Sequence, residues 1–488
     1  MTNLKKNFGY QLLYRILAVI TPLITAPIVS RALGAEKLGV YSATYAFVSY
    51  FMFASLLGIE KYGQRTIATA RTAEEKQRLF WEIYSVQAVA SVVSSAVYFA
   101  AVALFGGERT AIMLIQSLWL LSCLLGIGWF FFGCGEFKVT ATRSLVVRTI
   151  TVICVVLFIR RPEDLLLYTL IMAGGTAASN LVLWLSLRRY IGFARPAFER
   201  VKVHIRPIFR LFIPVIALSV YHVMDKSMLD LLSTEANVGW YYAVDKIVNI
   251  PLGLIMALGT VMMTRMSYAL NNEEKGRATA LLGKSSELTM FLTCAVTFGI
   301  AAVSIEFIPF FFGPGYEPCV RLMYIFLPVL VIKALGDVVR TQYLIPSRKD
   351  NLYTAAVISG AVTNLVFNAL LIPSRGAEGA VLGTLAAEGV VFAVQVWGCR
   401  NEVRFLRLFF GHIVYLFIGA AMLIAVRVFA GAVSIPGVLV KILSMVVVGA
   451  FVYLALCGVL WLVRKNSIFS VFLRGALGKI ARTGKDRR

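Results

Sequence analysis

The stretch Gly34-Ala-Glu-Lys-Leu-Gly39-Val-Tyr41-Ser-Ala43 returns 200 residues later as Ser233-Thr-Glu-Ala-Asn-Val-Gly239-Trp-Tyr241-Tyr-Ala243. Gly39, Tyr41 and Ala43 coincide with Gly239, Tyr241 and Ala243. Each copy lies in a polar turn between two apolar stretches of about 20 residues. At 1.5 Å per residue, such a stretch crosses a hydrocarbon core of roughly 30 Å. Both turns fall on the same side of the membrane, so the pattern predicts a parallel repeat about an axis along the membrane normal. A weaker echo, Arg375-Gly-Ala-Glu378-Gly-Ala, follows the eleventh stretch.

Working outward, fourteen apolar stretches are expected to span, at about 8–30, 38–59, 83–105, 110–132, 144–159, 164–187, 211–232, 240–263, 288–312, 322–345, 354–373, 379–397, 409–430 and 438–462. With the N-terminus inside, the inside segments hold 34 of the 48 Lys and Arg and the outside segments hold seven. Basic residues in short loops resist translocation, so both termini are expected in the cytoplasm. A chain 59% hydrophobic and 15% charged reads as an all-α integral membrane bundle. Its net charge of +23 is a topology signal and does not indicate a nucleic-acid partner.

The expected plan is two six-helix lobes around a central cavity. An N-lobe occupies 1–187, a basic cytoplasmic linker 188–210 and a C-lobe 211–400. Spans 13 and 14 occupy 401–463, and a basic tail occupies 464–488. In 467–482, Phe469, Phe472, Leu473, Ala476, Leu477 and Ile480 share one face opposite Arg474 and Arg482, as in an interfacial helix. The linker mixes cations with aromatics and is expected to lie on the anionic inner leaflet. The run after Lys5 and Lys6 is too long for a cleaved signal and reads as a first helix.

Several chemistries are excluded. The phosphate-loop-like Thr483-Gly484-Lys485 lacks its upstream glycine and strand. There is no H-E-x-x-H and no G-x-S-x-G, and only His204, His222 and His412 are present. The seven cysteines have no paired metal spacing, so no metal, cofactor or catalytic residue is expected.

Ionisable residues at bilayer depth cost roughly 2.5–3.5 kcal/mol each on insertion scales and must pair or face a wet cavity. Asp225-Lys226 and Asp245-Lys246 lie equally far from the turn at Glu235, so both dipeptides sit at one depth. Adjacent helical residues diverge by about 100°, which leaves either cross-hairpin pairs or a cavity lysine that attracts anions. His222 stands one turn before Asp225 and could share its proton. In span 10, Lys333, Asp337 and Arg340 share a face and could neutralise one another, with Arg340 snorkelling. Arg427 and Lys441 read as snorkelling too. Span 1 carries Pro22 and Pro27, a polar face, Arg15 near the cytoplasm and Arg31 at the outer mouth. Tyr10, Tyr14, Tyr41, Tyr45, Tyr221 and Tyr241 could stack on sugar rings.

Thr21-Pro-Leu-Ile-Thr-Ala-Pro27-Ile-Val-Ser-Arg31-Ala-Leu-Gly34, Gly39-Val-Tyr41-Ser and Leu56-Leu-Gly-Ile-Glu-Lys-Tyr62-Gly63 resemble the first hairpin of bacterial oligosaccharide-lipid flippases of the Wzx type. Met224-Asp-Lys-Ser-Met228 and Lys246-Ile-Val-Asn-Ile-Pro251 resemble spans 7 and 8 of that family. The resemblance covers nearly the whole chain and places it in the multidrug/oligosaccharidyl-lipid/polysaccharide exporter superfamily. It implies a non-enzymatic flippase of the bacterial cytoplasmic membrane that carries undecaprenyl-diphosphate-linked oligosaccharide outward by alternating access. It also implies a cavity in which Arg15, Arg31, Lys226 and Lys246 meet the diphosphate. Asp225, Asp245, His222, Lys333 and Asp337 remain candidates for H+ or Na+ coupling or for pairing. Membrane lipids and polysaccharide polymerase or assembly proteins are the expected partners. A lipid II flippase, or a cation-coupled drug exporter of the same superfamily, is the alternative. An embedded polymerase or ligase would need a large outside loop, which the chain lacks.

Overall fold

The computed structural model describes the backbone of residues 2–271 and 275–464. Side chains are described from Thr21 onward, apart from residues 137, 211, 213–215, 217–222, 258, 260, 261, 264, 271 and 275. The expected tail helix at 467–482 and the side chains of Arg15, His222, Tyr10, Tyr14 and Tyr221 lie outside the described residues.

The described chain is helical throughout, with no strand among the described residues. The first run, Thr2–Leu56, breaks at Gly34 into α1 (2–33) and α2 (35–56). Gly34 has φ +74°, a left-handed conformation that glycine adopts without the Cβ clash other residues meet. Then come α3 (Ile59–Thr69), α4 (Ala73–Phe105), α5 (Thr110–Gln116), α6 (Leu118–Leu124), α7 (Gly128–Gly133), α8 (Phe137–Phe158) and α9 (Leu165–Leu187). The second half holds α10 (Phe198–Leu232), α11 (Glu235–Asn271), α12 (Lys275–Phe312), α13 (Pro318–Val339), α14 (Asp350–Arg375), α15 (Ala377–Gly398), α16 (Phe405–Phe410), α17 (Val414–Ala432) and α18 (Val438–Val463). Among the described residues, eleven helical segments are long and apolar enough to cross a membrane. One of them, Thr21–Thr69, contains the Gly34 break.

Two expectations need correction. The fourth span is not one helix but three short ones, broken between Leu124 and Gly128. Carbonyls freed by such a break need new donors inside a membrane. Gln87 Nε2 donates to Cys123 O (2.7 Å) and Gly126 O (2.9 Å), and Trp184 Nε1 donates to Leu125 O (3.1 Å). The expected linker 188–210 is likewise not one segment, because its second half is helical. Only 191–197 is irregular, and it is held to α4: Trp81 Nε1 donates to Gly192 O and Gln77 Nε2 to Phe193 O. From Phe198 the chain is already the helix that becomes span 7.

The chain divides into two compact units, Met1–Tyr242 and Ala243–Arg488, and α11 begins in the first and continues into the second. In the first unit, Phe80, Ile83, Trp129, Phe130 and Phe131 form an aromatic core with α3 and α9 residues. In the second, Met290, Cys294, Tyr415, Met445 and Tyr453 pack α12 against α17 and α18.

Candidate functional site

The turn between α10 and α11 is built by local polar chemistry. Thr234 Oγ1 accepts from the Asn237 backbone N–H and from Asn237 Nδ2, which caps the start of α11. The two glycines of the sequence repeat then face each other's hairpins. A Cβ on Gly39 would stand 1.8 Å from Glu235 O, and one on Gly239 would stand 2.0 Å from Ala35 O. Residues 35 and 235 are themselves 200 apart, so the contact is reciprocal. Glycine is required at both positions because backbone meets backbone there.

Beside this crossing, Arg109 from the α4–α5 turn closes on the α10–α11 hairpin. Its Nη1 binds both oxygens of Asp230, at 2.7 and 2.9 Å, and its Nη2 binds Glu235 Oε1 at 2.8 Å. Asp230, one of the charges within span 7, is thereby neutralised by a residue outside the spans.

The structure sorts the expected site residues. Asp225 is buried and accepts a 2.5 Å hydrogen bond from Tyr241 Oη. Lys226 is half-buried, with Nζ 5.5 Å from the centre of the Tyr242 ring. Asp245 accepts from Asn249 Nδ2 one turn further along α11. Lys246 is half-buried, and Arg31 is exposed near the end of α1. The described tyrosines among the candidates each have a packing or hydrogen-bond partner. Tyr41 is buried against the Tyr168 ring at 4.9 Å, Tyr45 packs on Trp119 at 5.2 Å, and Tyr241 is spent on Asp225.

In the second unit, the span 10 charges do not neutralise one another as a set. Lys333 reaches Glu388 on α15 at 3.3 Å, with both side chains nearly buried. Asp337 takes Arg340 (2.5 Å) and Thr341 Oγ1 (2.6 Å), so Arg340 is tethered. Arg340 opens a π-helical turn, Arg340–Leu344, and Gly259 leaves room for Asp337: a Cβ there would lie 2.6 Å from Oδ2. Arg427 and Lys441 both converge on Glu306, at 2.7 and 3.2 Å.

Sequence reasoning missed two features of the first unit. One is a cavity of about 460 Å3 beside the broken fourth span, lined in part by Trp119, Gln87, Arg143, Thr176 and Asn180. Arg143 Nη1 donates to Asn180 Oδ1 at 2.9 Å, and Asn180 Nδ2 donates to Ser122 O at 2.8 Å. Irregular backbone at membrane depth is tolerated where it lines such a space. The other is a buried chain of three groups: Tyr62 Oη lies 2.7 Å from His204 Nδ1, and Glu82 Oε2 lies 3.0 Å from His204 Nε2. His204 and Glu82 are far apart in sequence, and neither motif nor periodicity joins them.

Comparison with known proteins gives a consistent result. The model of the family described as "Polysaccharide biosynthesis protein" matches residues 4–269. A relative from Escherichia coli (strain K12), named "Putative O-antigen transporter", is 21% identical over 82% of this chain and 97% of its own length. Among solved structures, the lipid II flippase MurJ in its inward closed conformation superposes with TM-score 0.76 at 12% identity, covering 94% of this chain and 99% of that one. An inward-facing multidrug resistance transporter of the MATE family in the MOP superfamily reaches 0.65 at 14% identity, covering 81% and 95%.

Proposed function

The chain belongs to the polysaccharide biosynthesis protein family, and on that premise we propose that it is a Wzx-type flippase for undecaprenyl-diphosphate-linked oligosaccharide repeat units. The observation that carries this reading is the family match over more than half the chain, joined to an exporter fold over 94% of it. The substrate follows from the relative's O-antigen transport.

The physics of the task fits. A diphosphate bearing a glycan cannot cross hydrocarbon unaided, whereas its isoprenoid tail can stay in lipid. The carrier therefore needs a polar vestibule with cations, and we assign that role to Arg15, Arg31, Lys226 and Lys246. Fourteen spans in two repeated lobes, both termini cytoplasmic, and alternating access complete the reading. An inside-negative potential favours outward movement of an anion by roughly 2.3 kcal/mol per charge per 100 mV. Asp225 and Asp245 are the groups we assign to H+ or Na+ coupling during return of the empty carrier. Polysaccharide polymerase or assembly proteins would receive the product in the outer leaflet.

The test is complementation of a flippase-null strain. Wild type restores surface polysaccharide, and Lys226→Ala with Lys246→Ala inserts normally and does not. Failure of the wild type to restore any lipid-linked glycan export would overturn the proposal.

A further inference from the structure

A second concave surface of the first unit includes neither Arg31 nor Lys226 in its lining. It is a groove of about 820 Å3 between α2, α4 and the first turns of α10. Its floor is a stripe of valines on α4, Val89, Val93 and Val97, each more than half exposed. Phe198, Ile205 and Phe209 of α10 form one wall.

The beginning of α10 presents three distinct rows. His204 and Ile208 face inward, with His204 fixed by Tyr62 and Glu82 and Ile208 in the aromatic core. Phe198, Ile205 and Phe209 line the groove. Lys202, Arg206 and Arg210, four residues apart and all exposed, run alongside them. The inward row is locked, so the rotation of the helix is set and the cation row borders the groove. Lys202 Nζ also sits 4.6 Å over the Phe198 ring at the groove mouth, where it pairs with Glu199 at 3.0 Å.

Dimensions and charge identify an occupant. From Phe198 to Phe209 the helix rises about 16 Å at 1.5 Å per residue. One leaflet contributes about half of a 30 Å hydrocarbon core. Long basic side chains on a helix lean toward its N-terminus, here the headgroup side. Basic pockets between membrane helices on the cytoplasmic side suit anionic headgroups. An ordinary lipid-facing surface looks different: on α18, exposed Val446, Val447, Phe451 and Leu454 have no cation between Lys441 and Arg464.

We propose that this groove seats an acyl chain of an anionic phospholipid from the cytoplasmic leaflet, with its phosphate held by Lys202 and Arg206. The inference rests on the inside-outside orientation expected from the Lys and Arg distribution and is independent of the glycan substrate. A seated lipid would brace α10 against α4 within the first unit, just ahead of span 7.

The experiment is native mass spectrometry of the full chain released from nanodiscs containing phosphatidylglycerol and phosphatidylcholine with identical chains. Retention of phosphatidylglycerol over phosphatidylcholine by about tenfold or more is expected from two cations at one phosphate. Lys202→Glu with Arg206→Glu and Arg210→Glu should abolish the preference, and Val93→Trp should reduce retention of both lipids. Val97→Trp is the second filling variant, and both valines are exposed enough to accept the ring. Equal retention of the two lipids by the wild type, or undiminished phosphatidylglycerol on filling variants that elute as folded protein, would overturn the site. Displacement of the retained lipid by undecaprenyl diphosphate, blocked by Val93→Trp, would assign the groove to that lipid and overturn the phospholipid.

Discussion

Gly39 meets Glu235 backbone to backbone: a Cβ on the glycine would lie 1.8 Å from that carbonyl oxygen. The same relationship holds, displaced by 200 residues at both ends, between Gly239 and Ala35. Both turns carry glycine where the hairpins they begin touch.

This crossing predicts that Gly39→Ala and Gly239→Ala each destabilise the folded protein, by about 1–3 kcal/mol as overpacking usually does. Gly253 lies on the same α11 helix with nothing within 4 Å of its would-be Cβ. Gly253→Ala should therefore be neutral or slightly stabilising. Thermal unfolding in detergent, followed by fluorescence, separates the three variants.

The Arg109 clasp predicts a loss of about 1.5–3 kcal/mol for Arg109→Ala, the range for hydrogen bonds to charged groups. Charge exchange, Arg109→Asp with Asp230→Arg, should recover part of it, because one ion pair is restored while Glu235 faces a carboxylate. No recovery over the single Arg109→Asp variant would show that the Asp230 pair does not carry the effect.

Glu306 satisfies two cations at once, and its side chain is only 12% exposed. Removing it leaves two partly buried charges unpaired, so Glu306→Gln should cost about 3–5 kcal/mol. Lys441→Met, which leaves the Arg427 pair intact, should cost clearly less. Comparison of midpoints in a denaturant or thermal series decides the order.

The Lys333–Glu388 pair is buried on both sides. Lys333→Met and Glu388→Gln should each destabilise, and the double variant should be more stable than the sum of the two losses predicts. Additive losses would mean that the two side chains do not act together.

The helical class was legible because apolar length is a strong signal that tertiary packing does not override. The Gly39 and Gly239 match was legible for a related reason: backbone contact tolerates no side chain, so the requirement appears as an identity in the sequence. The break inside the fourth span was not legible because its composition is mostly apolar on both sides of it. What permits the break is Gln87 on α4 and Trp184 on α9, distant residues that supply the missing donors. The partners of the intramembrane charges were hidden for the same reason. Lys333 and Asp337 share a helical face, yet Glu388 on another helix offers Lys333 a closer partner. Arg427 and Lys441 meet at Glu306, a carboxylate remote from both in sequence. Periodicity places a residue on a face and cannot say what the neighbouring helix presents there.

The most direct measurement is leaflet exchange of an undecaprenyl-diphosphate-linked oligosaccharide in proteoliposomes holding the purified chain. The account predicts protein-dependent transfer of the glycan to the opposite leaflet, lost in the folded Lys226→Ala, Lys246→Ala protein. Transfer at the rate of protein-free vesicles, or undiminished transfer by the double variant, would contradict it.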